Sequence, residues 1–313
     1  MSIPVRFTSC LARFGAALVV TTLVALGSGA DAQELEPRAY TNTPVGLNFL
    51  IAAYAYSSGG VATDPALPIK DAHLHIHSAI LAYARSLNVL GTSGKVDVVL
   101  PYAWLSGSAE VVGQPREREV SGLADPRLRF SVNLYGAPAL SVEEFTSYKQ
   151  DLIVGASLQV GIPLGQYDSE KLVNLGTNRW SVKPALGISK ACGRLTIEAS
   201  GGITFYTTND DFFGGKSRSQ EPIYSLQGHL SYNFSRGMWV GLDGTYYTGG
   251  RTTTDGVKDN NFQGNTRVGV TFALPVNRYN SIKLYASTGV STRTGGNFDT
   301  LGIAWQYRWG GGF

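Results

Sequence analysis

Residues 301–313 read LGIAWQYRWGGGF, and Leu301, Ile303, Trp305, Tyr307, Trp309, Gly311 and Phe313 fall on alternate positions, with Gln306 and Arg308 between them. A period of two is the period of a strand, whose successive side chains leave opposite faces. A soluble sheet does not leave so many aromatic rings on an exposed terminal strand, because they would template pairing with other chains. The stretch predicts the last strand of a membrane barrel, with Phe313 as the aromatic end by which the barrel-insertion machinery takes up such a chain.

Working outward, the same alternation recurs in eleven earlier segments, at 45–51, 74–80, 96–104, 128–134, 152–160, 180–188, 195–205, 224–234, 238–246, 262–272 and 282–290. Twelve is even, as a closed antiparallel barrel with both termini on one side requires. The expected fold is all-β: a transmembrane antiparallel barrel of twelve strands with both termini periplasmic. Its lipid-facing phase holds Val45, Leu47, Phe49 and Ile51 in the first strand, Leu74, Ile76 and Ile80 in the second, and no charged residue in any strand. The other phase, with His73, His75 and His77 in the second strand, is expected to face the lumen.

Aromatic residues gather at both ends of the expected strands. Tyr102, Trp104, Trp180, Phe205, Tyr224, Tyr246 and Phe262 form one girdle, and Tyr232, Phe234, Phe272, Trp305, Tyr307 and Trp309 the other, as the two membrane interfaces demand. Outer loops are expected at 57–70, 106–124, 164–177, 207–221, 249–261 and 292–297. The inner connections are shorter, apart from 136–149, where Val142, Phe145 and Tyr148 have helical spacing. Pro184, which lacks a ladder donor, predicts a bulge.

Arg6 and Arg13 precede an apolar run at 14–26, and Ala30-Asp31-Ala32 has the small-x-small form of a cleavage site. Thirteen apolar residues are too few to cross a bilayer, which needs about twenty. Residues 1–32 therefore read as a signal peptide, 33–44 as a periplasmic N-terminal segment that could also plug the periplasmic mouth, and 45–313 as the barrel. Without the signal peptide the net charge is near +2, which gives no concentrated basic face for nucleic acid.

No phosphate-binding loop, dinucleotide fingerprint or nucleophile elbow occurs, and no catalytic, cofactor or metal residue is assigned. The row His73, His75, His77 reads as a titratable lumen wall; neighbours in it stand about 6.6 to 6.8 Å apart, so the three cannot share one ion, and a metal or ligand site of two of them with a partner from another strand is the alternative. The wet phase carries more basic than acidic residues. Arg127, Arg129, Arg179, Lys183, Arg267, Lys283 and Arg308 are the candidate pore lining, with His75, His229, Trp239 and Tyr285 beside them. Such a lining concentrates anions.

The stretches Leu100-Pro101-Tyr102, 121–126 (SGLADP), 133–138 (NLYGAP), 164–168 (LGQYD), 174–181 (NLGTNRWS) and 305–310 (WQYRWG) resemble the family of meta-pathway of phenol degradation proteins, often labelled transporters. The resemblance spans nearly the whole chain beyond residue 32. It implies an outer-membrane barrel of a Gram-negative bacterium that takes up aromatic or other apolar compounds, and it supplies no functional residues. The expected function is a channel for passive uptake of small molecules, aromatic or anionic ones among them, with outer-membrane lipid and a small solute as partners. A lumen-sealed structural or adhesin barrel and an outer-membrane lipid hydrolase are the alternatives.

Overall fold

The alternation at the end of the chain forms a strand whose partner is the first strand of the chain. In a computed structural model, residues 37–62, 69–111, 113–234 and 237–312 are described. The expected signal peptide and Phe313 lie outside them. The elements are β1 (Leu47–Ala62), β2 (Ile69–Val89), β3 (Thr92–Val111), β4 (Gln114–Leu123), β5 (Arg127–Tyr135), α1 (Val142–Phe145), β6 (Leu152–Gly161), β7 (Ser181–Cys192), β8 (Leu195–Tyr206), β9 (Asn209–Phe212), β10 (Lys216–Gln220), β11 (Ile223–Asn233), β12 (Trp239–Gly249), β13 (Thr252–Thr254), β14 (Val257–Lys258), β15 (Gln263–Pro275), β16 (Asn280–Ser291) and β17 (Gly295–Gly310).

Every strand of the large sheet runs antiparallel to its neighbours, in the order β2, β1, β17, β16, β15, β12, β11, β8, β7, β6, β5, β3, β4, and a β2 to β3 ladder joins the ends. β3 is shared: its residues 94–99 pair with β5 and 102–111 with β4, so β4 and β5 are one line of chain interrupted at 124–126. The closed barrel therefore has twelve strands, as the sequence predicts. β17 and β1 pair without a register shift from Leu47 opposite Gly310 to Ala62 opposite Gly295. The short strands β9, β10, β13 and β14 form a second sheet from the connections at the end opposite the termini, called here the loop end.

Directly opposed residues share a face, so the register fixes what each strand shows to lipid. Leu301, Ile303, Trp305, Tyr307 and Trp309 of β17 are all exposed on the outside. Outward rings cluster near the terminal end, where Trp309 lies 5.5 Å from Tyr307 and 6.2 Å from Tyr83, and near the loop end, where Tyr102 lies 4.7 Å from Trp104. A closed barrel with an apolar outer belt between aromatic girdles is the architecture of a Gram-negative outer-membrane protein.

Two strands run in the phase opposite to the expected one. Leu50, Ala52, Tyr54 and Tyr56 of β1 oppose Tyr307, Trp305, Ile303 and Leu301, so they face lipid and Leu47, Phe49 and Ile51 face the lumen. Tyr56, Ser58 and Gly60 in turn oppose His77, His75 and His73, which places the histidine row outside the barrel, and Leu74, Ile76 and Ile80 inside. The physical reason is that the lumen is apolar on this side, so apolar character no longer marks the lipid face.

Three smaller expectations also change. The segment 106–124 is a hairpin extending β3 and β4 beyond the girdle. Phe262 lies in a loop with the guanidinium groups of Arg251 and Arg293 5.7 and 5.6 Å from its ring. Pro184 causes no bulge: β7 keeps its register with β6, while its ladder with β8 skips Lys183 and Pro184 and resumes unshifted at Ala185. The short helix is present as α1, closed by a capping box between Ser141 and Glu144.

Strand length is uneven. β2 and β3 have 21 and 20 residues, β6 has 10, and about 9 to 11 suffice to span a bilayer. β1 to β4 therefore stand beyond the girdle as a wall, polar outside at Ser58, His75, Ser106 and Glu119, apolar inside at Leu74, Ile76, Leu105 and Val120. Loop 162–180 seats against this wall. Asp125 fastens it, accepting from Gly165 N (2.9 Å), Thr177 N (2.8 Å) and Thr177 Oγ1 (2.6 Å). Asp125→Ala leaves these donors unmatched at about 1 to 3 kcal/mol. Faster protease cleavage within 162–180 is the expected result, with the barrel itself still resistant.

Candidate functional site

The lumen is divided lengthwise. β1, β2 and the upper part of β3 line it with Phe49, Ile51, Ile76, Ile80, Pro101 and Leu105. The strands from β5 to β15 line it with Arg129, Gln159, Lys183, Glu198, His229, Asp243 and Arg267. Period-two alternation produces both surfaces, because a strand can bury either kind of residue inside once a sheet closes.

Residues 37–44 occupy the terminal end of this lumen. Gly46 and Leu47 are tied to β2 through Ser86, and Val45 N donates to Leu140 O at 2.9 Å. Tyr40 is 6% exposed and packs with Ala137 and Ile153. Its ring occupies the space that side chains would take at Gly155 and Gly187, where an added Cβ would stand 2.3 and 2.1 Å from ring carbons. The Arg38 backbone N–H donates to the Glu198 carboxylate, its Nη1 donates to Asn233 Oδ1 at 3.1 Å, and its guanidinium lies 5.3 Å from the Trp239 ring centre. A short plug thus holds to the polar wall by charge and to a glycine notch by an aromatic ring.

Above the plug is a cavity with Ala39 and Tyr40 as its floor and Arg129, Gln159, Lys183 and Gln227 among its walls. Arg129 grips Asp97 with both arms of its fork, at 3.2 Å from Nε and 3.2 Å from Nη2, while Lys95 Nζ lies 3.8 Å from the same carboxylate. Two cations share one anion there, with Lys183 two strands along the same wall, so the local balance is positive.

The other candidates separate. Arg127 lies inward on β5 opposite Gly161, next to Arg129 on the same face. Arg179 is at the loop end, 4.5 Å from the Tyr206 ring centre, donating to Gln220 Oε1. Arg267 is 3% exposed and spends Nη2 on Ser287 Oγ and Phe298 O, while Arg308 Nε donates to Arg278 O at the terminal end. Lys283 points inward opposite Ala273, and Tyr285 covers Gly302.

His229 is buried, its Nδ1 2.8 Å from Asp243 Oδ1, whose Oδ2 accepts from Thr271 Oγ1 at 2.9 Å. Trp239 is the stacking partner of the plug's arginine. His75 is removed from the lining, because it faces outward. Sequence reading missed Arg38 and Tyr40 as individual contacts, although it raised 33–44 as a plug; a tyrosine ahead of the first strand carries no signal for which glycines it meets.

The chain matches over residues 57–307 the model of a family described as "Putative MetA-pathway of phenol degradation". Among solved structures it is similar to an outer membrane channel from Pseudomonas putida F1, with a TM-score of 0.76, 21% identity, and coverage of 88% of this chain and 100% of that one. It is also similar to the transport unit of the autotransporter AIDA-I from Escherichia coli, with a TM-score of 0.50, 8% identity, and coverage of 96% and 97%. These likenesses agree with the fold. No curated protein matches the chain.

Proposed function

The chain belongs to the phenol-degradation family whose model it matches, and from that premise we propose that the barrel is a passive channel for small aromatic solutes, carboxylates foremost, with its terminal end in the periplasm. The observation that carries this reading is the divided lumen. A planar ring can move along Phe49, Ile51 and Ile80 while its carboxylate faces Arg129 and Lys183. Taking an anion out of water is costly unless it is paired, and a positive wall opposite an apolar one meets both needs. Arg127 and Arg129 suit the role because guanidinium stays ionised and binds carboxylate bidentately. Arg179, Lys183, Arg267, Lys283 and Arg308 add to the same field, and Tyr285 supplies aromatic surface, while Trp239 is covered by Arg38 of the plug. His229, paired with Asp243, holds the wall together.

Twelve strands enclose a lumen narrower than that of sixteen-stranded porins, so wall charge acts on every solute that passes. In a planar bilayer under a potassium chloride gradient, the reversal potential is expected to indicate chloride preference. The preference should fall in the Arg129→Gln/Lys183→Gln double variant and fall again as salt screens the wall. Proteoliposomes should admit benzoate faster than benzylammonium. Cation preference or equal entry of both would overturn the reading, and a sealed lumen would favour the structural alternative. A lipid hydrolase is disfavoured: outward His75 bonds Tyr56 and Ser58, and no carboxylate among the described residues hydrogen-bonds it to orient a base.

A further inference from the structure

The outward histidine row has no part in a channel lumen, and its local geometry is ordered. His75 Nδ1 lies 2.8 Å from Tyr56 Oη and 3.1 Å from Ser58 Oγ, and His77 Nδ1 lies 2.5 Å from Tyr54 Oη. Hydroxyls on β1 thus hold the Nδ1 side of both rings, which leaves Nε2 as the nitrogen available to a ligand. The Tyr56 ring touches both, stacked 6.2 Å from His75 and tilted by 43° at 4.9 Å from His77. His73 and His75 are in direct ring contact, with centroids 4.8 Å apart.

We propose that His73 and His75 form a binding site for a divalent transition metal ion on the outer surface of the barrel, where the wall rises beyond the girdle. Two imidazoles on one ion, each with a metal to nitrogen bond of about 2.0 to 2.1 Å, place their ring centroids about 4.5 to 5.2 Å apart, and the observed pair falls in that interval. Imidazole donors select zinc, nickel or copper over calcium or magnesium. A ligating histidine needs its second nitrogen held by an outer partner, and Tyr56 and Ser58 supply that for His75. Glu117 and Glu119 on β4 and Asp299 on β17 face the same side, each two strands away from the row, and raise the local cation concentration. No third His, Cys, Asp or Glu completes the set among the described residues, so the ion's remaining positions are open to water.

The experiment is titration of the untagged, detergent-folded full-length barrel with zinc chloride and nickel chloride by calorimetry, with retention on immobilised nickel as a second readout. Wild type should bind one ion. His73→Ala and His75→Ala should each weaken binding by about tenfold or more, whereas His77→Ala and His229→Ala should bind as wild type does. His73, His75 and His77 stand on the exposed outer face, whereas His229→Ala removes the buried partner of Asp243, so the gel shift on boiling reports folding for each variant. Absence of binding by wild type, undiminished binding by the folded His73 and His75 variants, or equal loss in His77→Ala would each overturn the assignment.

Discussion

Removing residues 309–313 is expected to abolish accumulation of the folded barrel in the outer membrane. Among the described residues β17 closes β1 on the side away from β2, and the two run together from Leu47 opposite Gly310 to Ala62 opposite Gly295. Trp309 opposes Asn48 in that seam and packs against Tyr83, so its loss removes both ladder and girdle at the terminal end. A closed barrel resists unfolding in dodecyl sulfate until boiled, because no edge is available from which to open. The deletion should therefore show no heat-modifiable band in membrane fractions. A normal band would place the closing determinant elsewhere. Point variants separate the two faces: Ile303→Arg should reduce the band, since a lipid-facing arginine between the girdles costs roughly 2 to 4 kcal/mol, and Gln306→Ala, on the lumen face, should leave it unchanged.

The second large effect concerns the plug. Tyr40→Ala, or Gly187→Leu, is expected to raise single-channel conductance several-fold without loss of the heat-modifiable form. The first removes the floor of the cavity; the second fills the notch from the other side, because a Cβ at position 187 would stand 2.1 Å from the Tyr40 ring. Burying one large side chain is worth about 1.5 to 3 kcal/mol, and the remaining anchor is the contact of Arg38 with Glu198, Asn233 and Trp239. Arg38→Ala should therefore add to either change. Wild-type conductance in the Tyr40 and Gly187 variants would show that residues 37–44 do not limit passage.

Much of this architecture was legible because lipid imposes one rule on every strand it touches. Where the lumen is wet, as along β5 to β12, charged positions such as Arg129 and Asp243 mark the inner phase without ambiguity. Along β1 and β2 that mark is missing. Phe49, Ile51, Leu74 and Ile76 obey the same period, yet they face inward, and the histidines next to them, normally a sign of a wet interior, face outward above the apolar belt. Only register can resolve the phase there, since it ties Tyr56 to Leu301 and His77 to Tyr56. The candidate site divides the same way. Arg129 and Lys183 could be read from alternation; the meeting of Tyr40 with Gly155 and Gly187 depends on residues far apart in the chain, and glycine has no side chain to announce it.

On the proposed function, the uneven height of the strands also bears on how fast a poorly soluble molecule would cross. A ring entering an apolar tube at a flat rim must shed its water in one step, and that step sets the rate. Here the inner face of the tall wall would offer the half-buried Leu74, Ile76 and Val120 to one side of the ring while the other side is still wet. Hydration is then lost gradually, at about 25 cal/mol for each square ångström covered, and the favourable part of the process begins well outside the bilayer. The barrier is spread along a slope, so flux should depend weakly on the solute's size and strongly on how much of its surface is flat.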